Sequence, residues 1–350
     1  MHIDITFVWA VIIFLGVMMY VFMDGFDLGI GLLYPLVPNS EHRDVMMNTV
    51  APVWDGNETW LVLGGAGLLA AFPVAYSVIL SAMYLPLIFM LLGLIFRGVA
   101  FEFRFKVEDH ERHIWDKAFS GGSIIAAFFQ GVTLGAYIDG IKTSGRVFTG
   151  GAFDWLAPFP LFTGVGVVIA YALLGCCWLI WKTEAELQKR MLDLAKPLVL
   201  TILAVISVIS VWTPLTHPAI ATRWFTLPNL FWFSPVPILV VTTMVLFNKS
   251  LNKINQERHS NKAISTAKTS DVLPFLYALL IIFLGYTGLG ISLWPNIIPP
   301  SISIWDAAAP RESQIFILWG MLAIIPMILG YTAWAYYVFR GKVRAEDGYH

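Results

Sequence analysis

Long apolar stretches separated by short polar segments run through the whole chain. They cover residues 5–36, 74–101, 118–138, 158–181, 198–215, 236–248, 272–294 and 315–339. A helix needs about 20 apolar residues to cross a bilayer, so the pattern predicts eight transmembrane helices in an all-α polytopic membrane protein. The sixth stretch is short, but Phe231–Pro237 can lengthen it. Leu61–Phe72, rich in glycine, is too short to cross and is predicted to be a re-entrant or interfacial helix.

Composition supports a membrane protein. The sequence is 58% hydrophobic and 13% charged, whereas soluble domains carry about 25% charged residues. The first apolar stretch lacks a basic leader and a small-residue cleavage site, so we expect it to be retained rather than cleaved as a signal peptide. The net charge of −1 says nothing about partners, but the sequence has no basic tail of the kind that binds nucleic acid, so no nucleic-acid partner is expected.

Lysine and arginine are distributed unevenly between the connections. With a cytoplasmic N-terminus, 17 of the 22 basic residues fall on the inside. The outside then holds Arg43, Lys142, Arg146, Arg223 and Arg311. Because inner loops of membrane proteins are enriched in basic residues, this pattern predicts that both termini are cytoplasmic. It also argues against Leu61–Phe72 as a ninth crossing.

The order of spans suggests two four-helix bundles. We predict a first bundle in residues 1–190, with an outer loop at 37–73, and a second bundle in residues 191–350. The polar segment Asn252–Ser270 is predicted to be a mobile inside loop between the sixth and seventh spans.

Four acids lie inside or beside the first apolar stretches: Asp24, Asp27, Asp55 and Glu58. An ionised carboxylate at the bilayer centre costs about 2.5–3.5 kcal/mol on insertion scales, so these acids need a reason. Asp24 and Asp27, three residues apart, share one helix face near the outer end of the first span. Two interpretations remain open: structural pairing with neighbouring helices, headgroups or a helix start, or a relay that carries protons.

Other residues limit the chemistry. Arg97, at the inner end of the second span, is interpreted as a topology anchor whose side chain snorkels to the surface. The seven histidines all fall in predicted loops or termini. Membrane haem proteins use His, Met or Cys ligands, so we do not expect this chain alone to hold a haem. Cys176 and Cys177 are interpreted as packing residues, and no metal site is predicted.

Several motifs, in matching order, resemble subunit II of the cytochrome bd-type quinol oxidases. They are Asp-Gly-Phe-Asp-Leu-Gly-Ile-Gly at 24–31, Asn-Thr-Val-Ala-Pro-Val-Trp-Asp-Gly-Asn at 48–57, Phe-Arg at 96–97, Trp-Asp-Ala at 305–307 and Tyr-Thr-Ala-Trp-Ala at 331–335. The first two blocks together are highly specific for the family. The chain length of 350 residues is similar to that of its cyanide-insensitive branch.

The resemblance implies a respiratory complex in the bacterial cytoplasmic (inner) membrane that oxidises quinol and reduces oxygen to water. It implies charge separation without proton pumping. It also implies a subunit I that forms a heterodimer with this chain and ligates haems of the b and d types. Small accessory subunits, membrane lipid and a structural quinone are further expected partners.

The resemblance also implies roles for individual residues. Asp55 and Asp27, with Asp24 in the same motif, match acids on a proton path toward the haems. Trp54 and Arg97 match positions near a haem, quinone or lipid. Glu58 departs from family members that have glutamine there, so it receives no role.

Two other functions fit the same residues. A proton-coupled secondary transporter would explain the intramembrane acids and the glycine-rich segment at 61–72. A purely structural assembly subunit, with no part in proton transfer, is compatible with every residue named above.

Overall fold

The computed structural model describes residues 4–259 and 270–344. The first half contains α1 (Ile5–Leu33), a 3₁₀ turn (Tyr34–Leu36), α2 (Ser40–Asn48), α3 (Trp54–Ala71), α4 (Pro73–Phe103), α5 (Arg112–Asp139), the strands β1 (Thr143–Ser144) and β2 (Val147–Phe148), and α6 (Pro158–Lys182). The second half contains α7 (Ala185–Thr216), α8 (Pro218–Phe225), α9 (Asn229–Phe233), α10 (Pro235–His259), α11 (Leu273–Leu293), β3 (Asn296–Ile298), β4 (Ile302–Ser303), α12 (Ile304–Ala307) and α13 (Arg311–Val338).

The predicted all-α membrane architecture is confirmed, and so are eight apolar segments long enough to cross. Within the described residues, eight helical segments are long and apolar enough to cross a membrane: 5–36, 73–103, 112–139, 158–182, 185–216, 229–257, 273–293 and 311–338. The strands form only two short antiparallel hairpins, β1–β2 and β3–β4. Residues Asn252–His259, predicted as part of a mobile loop, instead extend α10. Ile254 explains the extension, because it is buried in the core; residues 260–269 lie outside the described residues.

Helix α3 replaces the predicted short element at Leu61–Phe72. It has 18 residues, which corresponds to about 27 Å of helix. It runs antiparallel beside α1: Asn57 bonds to Asp27 near one end, and Gly67 faces Ile13 near the other. The backbone leaves helical geometry at Phe72, and α4 then starts at the end of the bundle where α1 begins.

The start of α1 lies at the same end of the molecule as the α11–α13 connection. Asp4 caps α1, and the Trp305 indole donates a 2.8 Å hydrogen bond to its carboxylate. This bond lowers the pKa of Asp4 below its usual value. The backbone N–H of Ala309 donates to Ala71 O at 2.9 Å, so the end of α3 is also here.

The last described residues lie at the opposite end. The end of α1 meets the end of α6, where the backbones of Gly29 and Gly175 touch. There the N–H of Val343 donates to Lys182 O at 2.8 Å. The first and last described residues therefore lie at opposite ends of the helix bundle. The prediction placed both termini on one side of the membrane. It discounted α3, whose acids and glycines lower its hydropathy, yet α3 carries the chain once more along the bundle.

The segment between α1 and α3 also lies at a different end of the bundle from the one that the sequence predicts. Arg43 pairs with Asp116 at 3.0 Å, and Arg104 pairs with Asp44 and Asp116, both at 2.6 Å. These ion pairs place the α1–α3 connection at the same end as the α4–α5 connection. The prediction of an outer loop at 37–73 opposite an inner α4–α5 loop is therefore wrong for this connection.

Glycines allow the closest helix crossings. At the α1–α6 contact, a Cβ atom on Gly29 would lie 1.9 Å from Tyr171 O, and one on Gly25 would lie 2.9 Å from the Tyr171 ring. Gly25 and Gly29, four residues apart, thus let α1 and α6 approach closely. The contact between α4 and α5 is similar, because Gly93 and Gly122 face each other. Small residues stabilise membrane helix pairs by letting their backbones pack.

The division at residue 190 stays a prediction. Packing crosses it freely: Trp178 of α6 stacks on Phe26 at a ring-centroid distance of 4.3 Å and contacts Phe275 of α11 at 5.4 Å. Helix α13 is the least enclosed span, because large side chains such as Phe316, Trp319 and Met327 are more than two-thirds exposed.

We expect Gly29→Ala to destabilise the assembled protein by about 1–3 kcal/mol, the usual cost of overpacking. The added methyl group has no room beside Tyr171 O. Gly320→Ala in α13 is the matched control, since nothing lies within 4 Å of a Cβ atom there. The thermal unfolding midpoint in detergent measures both. Equal midpoints for the two variants would contradict the close crossing.

Candidate functional site

Arg97 of α4 is the centre of a buried ionic cluster. Its guanidinium forms an ion pair with Asp24 of α1 and donates from Nη2 to Glu58 Oε2 of α3 at 2.7 Å. The Arg97 side chain is 0% exposed. It therefore does not snorkel, which corrects the prediction of a surface anchor. Two carboxylates compensate its charge, so it has no need to reach the membrane surface.

Asp27 lies in the second part of the cluster. Asn57 Nδ2 donates to Asp27 Oδ2 at 2.8 Å, and the Tyr336 hydroxyl of α13 donates to Asn57 Oδ1 at 2.9 Å. Asp27 Oδ1, Asp24 Oδ2 and Arg97 Nε are buried and have no hydrogen-bond partner among the described residues. Buried polar atoms of this kind are usually satisfied by water.

The local sequence explains how these groups meet. Asp24 and Asp27 lie on one face of α1, as their spacing predicts. Helix α3 starts at Trp54, so Asn57 and Glu58 fall in its first two turns, beside that face. Because α3 begins at Trp54, Asp55 lies in its first turn, where the helix dipole favours a carboxylate.

Asp55 itself is exposed. The structure brings Asp24, Asp27 and Arg97 together but leaves Asp55 at the edge, three residues before the half-buried Glu58. Trp54 is half-buried; its ring stacks on Phe101 at 4.9 Å and lies 5.9 Å from the Arg97 guanidinium.

Three further polar residues of the cluster were missed. Gln130 of α5 donates from Nε2 to the Tyr20 hydroxyl at 2.6 Å, and the Tyr171 hydroxyl of α6 donates to Gln130 Oε1 at 2.8 Å. Tyr20 lies beside Asp24. Two signals were available in the sequence: an amide within the third span, and a tyrosine one helical turn before Asp24.

The cluster carries more negative than positive groups. Among the described residues, Asp24, Asp27 and Glu58 act electrostatically on the single guanidinium of Arg97. Carboxylates this close in a medium of low dielectric constant repel each other when all are ionised. The cluster can therefore hold a proton. Several of its polar atoms also have no hydrogen-bond partner among the described residues.

The donor set does not fit a haem held by this chain. In the described ranges the histidines lie outside the apolar parts of the spans, and His217, for example, contacts Asp139 at 3.5 Å. Cys176 donates its thiol to Met191 O at 2.9 Å, and both neighbouring cysteines are fully buried. These residues are not arranged as axial ligands, so we derive no step through a haem in this chain.

Comparison with known proteins decides the family. A sequence model described as cytochrome bd terminal oxidase subunit II matches residues 5–339. The chain belongs to this family. Family membership makes it a subunit of an oxidoreductase complex with haem and quinol, partnered by a subunit I, in a membrane. The alternative of a secondary transporter is set aside.

Individual relatives are similar to this chain over nearly their whole length. Cytochrome bd-I ubiquinol oxidase subunit 2 of Escherichia coli K12 is 26% identical, covering 98% of this chain and 96% of the relative. Cytochrome bd ubiquinol oxidase subunit 2 of Bacillus subtilis 168 is 28% identical, covering 98% and 97%. A chain of the bd oxidase from Geobacillus thermodenitrificans shares the fold, with a TM-score of 0.74 at 15% identity over 96% of this chain and 99% of that one.

We expect Arg97→Gln to destabilise the subunit by about 3–5 kcal/mol, because it leaves Asp24 buried without its counter-charge. Lys106→Gln is the matched control, since it removes an exposed ion pair with Glu102 at 3.0 Å and such pairs contribute little. Thermal unfolding of the assembled complex measures the difference. A loss as small as that of the control would contradict a buried ion pair.

Proposed function

We propose that this chain is the subunit of a quinol:oxygen oxidoreductase that ligates no haem and carries part of the path for protons consumed when oxygen is reduced to water. Haems of the b and d types are then ligated by subunit I, with which the chain forms a heterodimer. The observation that carries this proposal is the buried cluster of Asp24, Asp27, Glu58 and Arg97. Three carboxylates against one guanidinium exceed what structural pairing requires.

The orientation follows from the corrected chain path. With the N-terminus outside and the C-terminus inside, Arg43 joins the inner end, which then holds 18 of the 22 basic residues. Lys142, Arg146, Arg223 and Arg311 remain outside. The bias toward the inside is stronger than with both termini inside. We therefore propose that the end holding the α1–α3 connection faces the cytoplasm of a bacterial cell, in the inner membrane.

This orientation gives the carboxylates an order. Asp55 is exposed at the inner end, Glu58 lies one turn deeper on α3, and Asp24 and Asp27 follow behind it. A path that begins at Asp55 takes protons from the inside. If protons are taken up from the inside alone, charge is separated across the membrane without a pump. The reason is that the protons move toward the reaction site while the electrons come from quinol. Protons cross such interiors along carboxylates and bound water.

Trp54 and Arg97 are proposed to lie near a structural quinone or a lipid. Trp54 supports this proposal, since its indole is half-buried at the protein surface with Phe101 and Arg97 beside it. Arg97 is fully enclosed, so its influence on such a molecule passes through Trp54 and Glu58. Small accessory subunits and membrane lipid are further proposed partners.

A purely structural subunit is the second candidate. It is favoured by one observation: the Arg97–Asp24 pair ties α4 to α1, and Asn57 ties α3 to α13 through Tyr336. The two candidates differ in whether removal of a charge changes turnover without changing assembly.

We expect Asp27→Asn to lower oxygen consumption by about 100-fold, the low end of what losing a proton-transfer group costs, because an amide cannot release a proton to the next group. We expect Asp55→Asn to cause a smaller loss, since surface water can replace an exposed carboxylate. The measurement is quinol-dependent oxygen uptake by the assembled complex, with haem absorbance as the check on assembly.

Asp306→Asn is the matched control: it makes the same chemical change in an exposed residue at the outer end. Normal turnover and normal haem absorbance in both Asp27→Asn and Asp55→Asn would remove the proton role and leave the structural one.

Labelling of single cysteines tests the orientation. We expect a cysteine at exposed Ser144 to react with a membrane-impermeant thiol reagent in spheroplasts, and one at exposed Glu41 to react only after the membrane is opened. The native cysteines, Cys176 and Cys177, are buried and provide a quiet background. The reverse labelling pattern would contradict an outside N-terminus.

A further inference from the structure

We propose that Tyr20, Gln130 and Tyr171 are positioning residues that hold Asp24 against Arg97 through one hydrogen-bonded chain. The inference rests on the proposed proton path and adds residues from α5 and α6 to it. Neither the motifs nor the ion pairs of the cluster involve these three side chains.

The hydrogen-bonded chain formed by these three side chains links α1, α5 and α6 at one level of the bundle. Gln130 Nε2 donates to the Tyr20 hydroxyl at 2.6 Å, and Gln130 Oε1 accepts from the Tyr171 hydroxyl at 2.8 Å. Both tyrosines are buried, with 5% and 3% of their surface exposed. A primary amide and two hydroxyls satisfy one another here, in a region where an unpaired polar group is costly.

The chemistry of Asp24 fixes the direction of the chain. Tyr20 precedes Asp24 by four residues, so the two side chains are neighbours on one face of α1. The Tyr20 oxygen accepts from Gln130, which leaves its own hydrogen for another acceptor. Asp24 Oδ2 is buried and has no partner in the part of the chain that the structure describes. An ionised carboxylate only accepts, so every donor in the chain points toward Asp24.

The hydrogen-bonded chain holds Asp24 in place but does not carry protons beyond it. It ends at Tyr171, which packs against α1 at Gly25. Within the described residues no hydrogen bond continues from Tyr171 beyond Gln130. A series of aligned donors strengthens the bond at its end and stabilises a fixed negative charge. Tyr20 therefore completes the set of donors around Asp24 that Arg97 begins.

The arrangement separates the roles of the two acids on α1. Asp24 has the guanidinium on one side and the Tyr20 chain on the other, so it serves as an immobile counter-charge. Asp27 accepts one amide hydrogen bond, from Asn57, and its Oδ1 is unpaired among the described residues. Asp27 is the acid with freedom to take up and release a proton.

Tyr20→Phe and Gln130→Leu test the proposal in the assembled oxidase. We expect each variant to lower maximal turnover by about tenfold, comparable to losing one hydrogen bond to a charged group, with an unchanged KM for quinol. Haem absorbance and the unfolding midpoint are recorded for each variant.

Tyr286→Phe is the matched control. It also removes a tyrosine hydroxyl bound to α1, since Tyr286 donates to Phe14 O at 3.2 Å, but that bond lies away from Asp24. We expect its turnover and its KM for quinol to match the wild type. In an Asp24→Asn background, Tyr20→Phe should cause no further loss, because its effect passes through Asp24.

Two results would overturn the proposal. One is wild-type turnover per assembled haem in Tyr20→Phe and Gln130→Leu together with a lower unfolding midpoint, which would mean a purely structural role. The other is wild-type behaviour of both variants while Asp27→Asn is impaired, which would leave the proton path intact without this support. Normal turnover of both Asp27→Asn and Asp55→Asn would instead refute the proposed function.

Discussion

The structure depends on the cost of holding a guanidinium inside a membrane protein. Arg97 is fully enclosed, and its charge is tolerable only because Asp24 and Glu58 approach it from two other helices. That requirement brings α1, α3 and α4 together at one level. Removing Arg97 leaves its carboxylate partners without a counter-charge in a medium of low dielectric constant, so the ionic cluster and the helix arrangement stabilise each other.

Close helix packing makes the cluster possible. Gly29 lets α1 touch α6, and Gly93 lets α4 touch α5, so these helices approach each other closely. Polar side chains between them form hydrogen bonds with one another. Gln130 does so with two tyrosines. Dense packing and a polar interior are thus two aspects of the same arrangement.

The cluster connects the fold to the chemistry of the family. The described residues hold a surplus of carboxylates around one guanidinium, and that surplus lies toward the end that carries most of the basic residues. The proton path proposed above would use these groups in a complex that consumes protons. The long exposed helix α13, which reaches the cluster through Tyr336, extends the network to the outside of the bundle.

The sequence by itself determined the eight apolar spans, the shared face of Asp24 and Asp27, and the family, because these depend on composition, spacing and motif order along one chain. It misassigned α3 and Arg97 and overlooked Gln130. Whether a weakly apolar segment packs along a neighbour, whether an arginine reaches the surface, and which amide meets a carboxylate depend on contacts between residues far apart in the chain. Only the tertiary structure decided those, since the free energy of a buried charge is set by the partners that surround it.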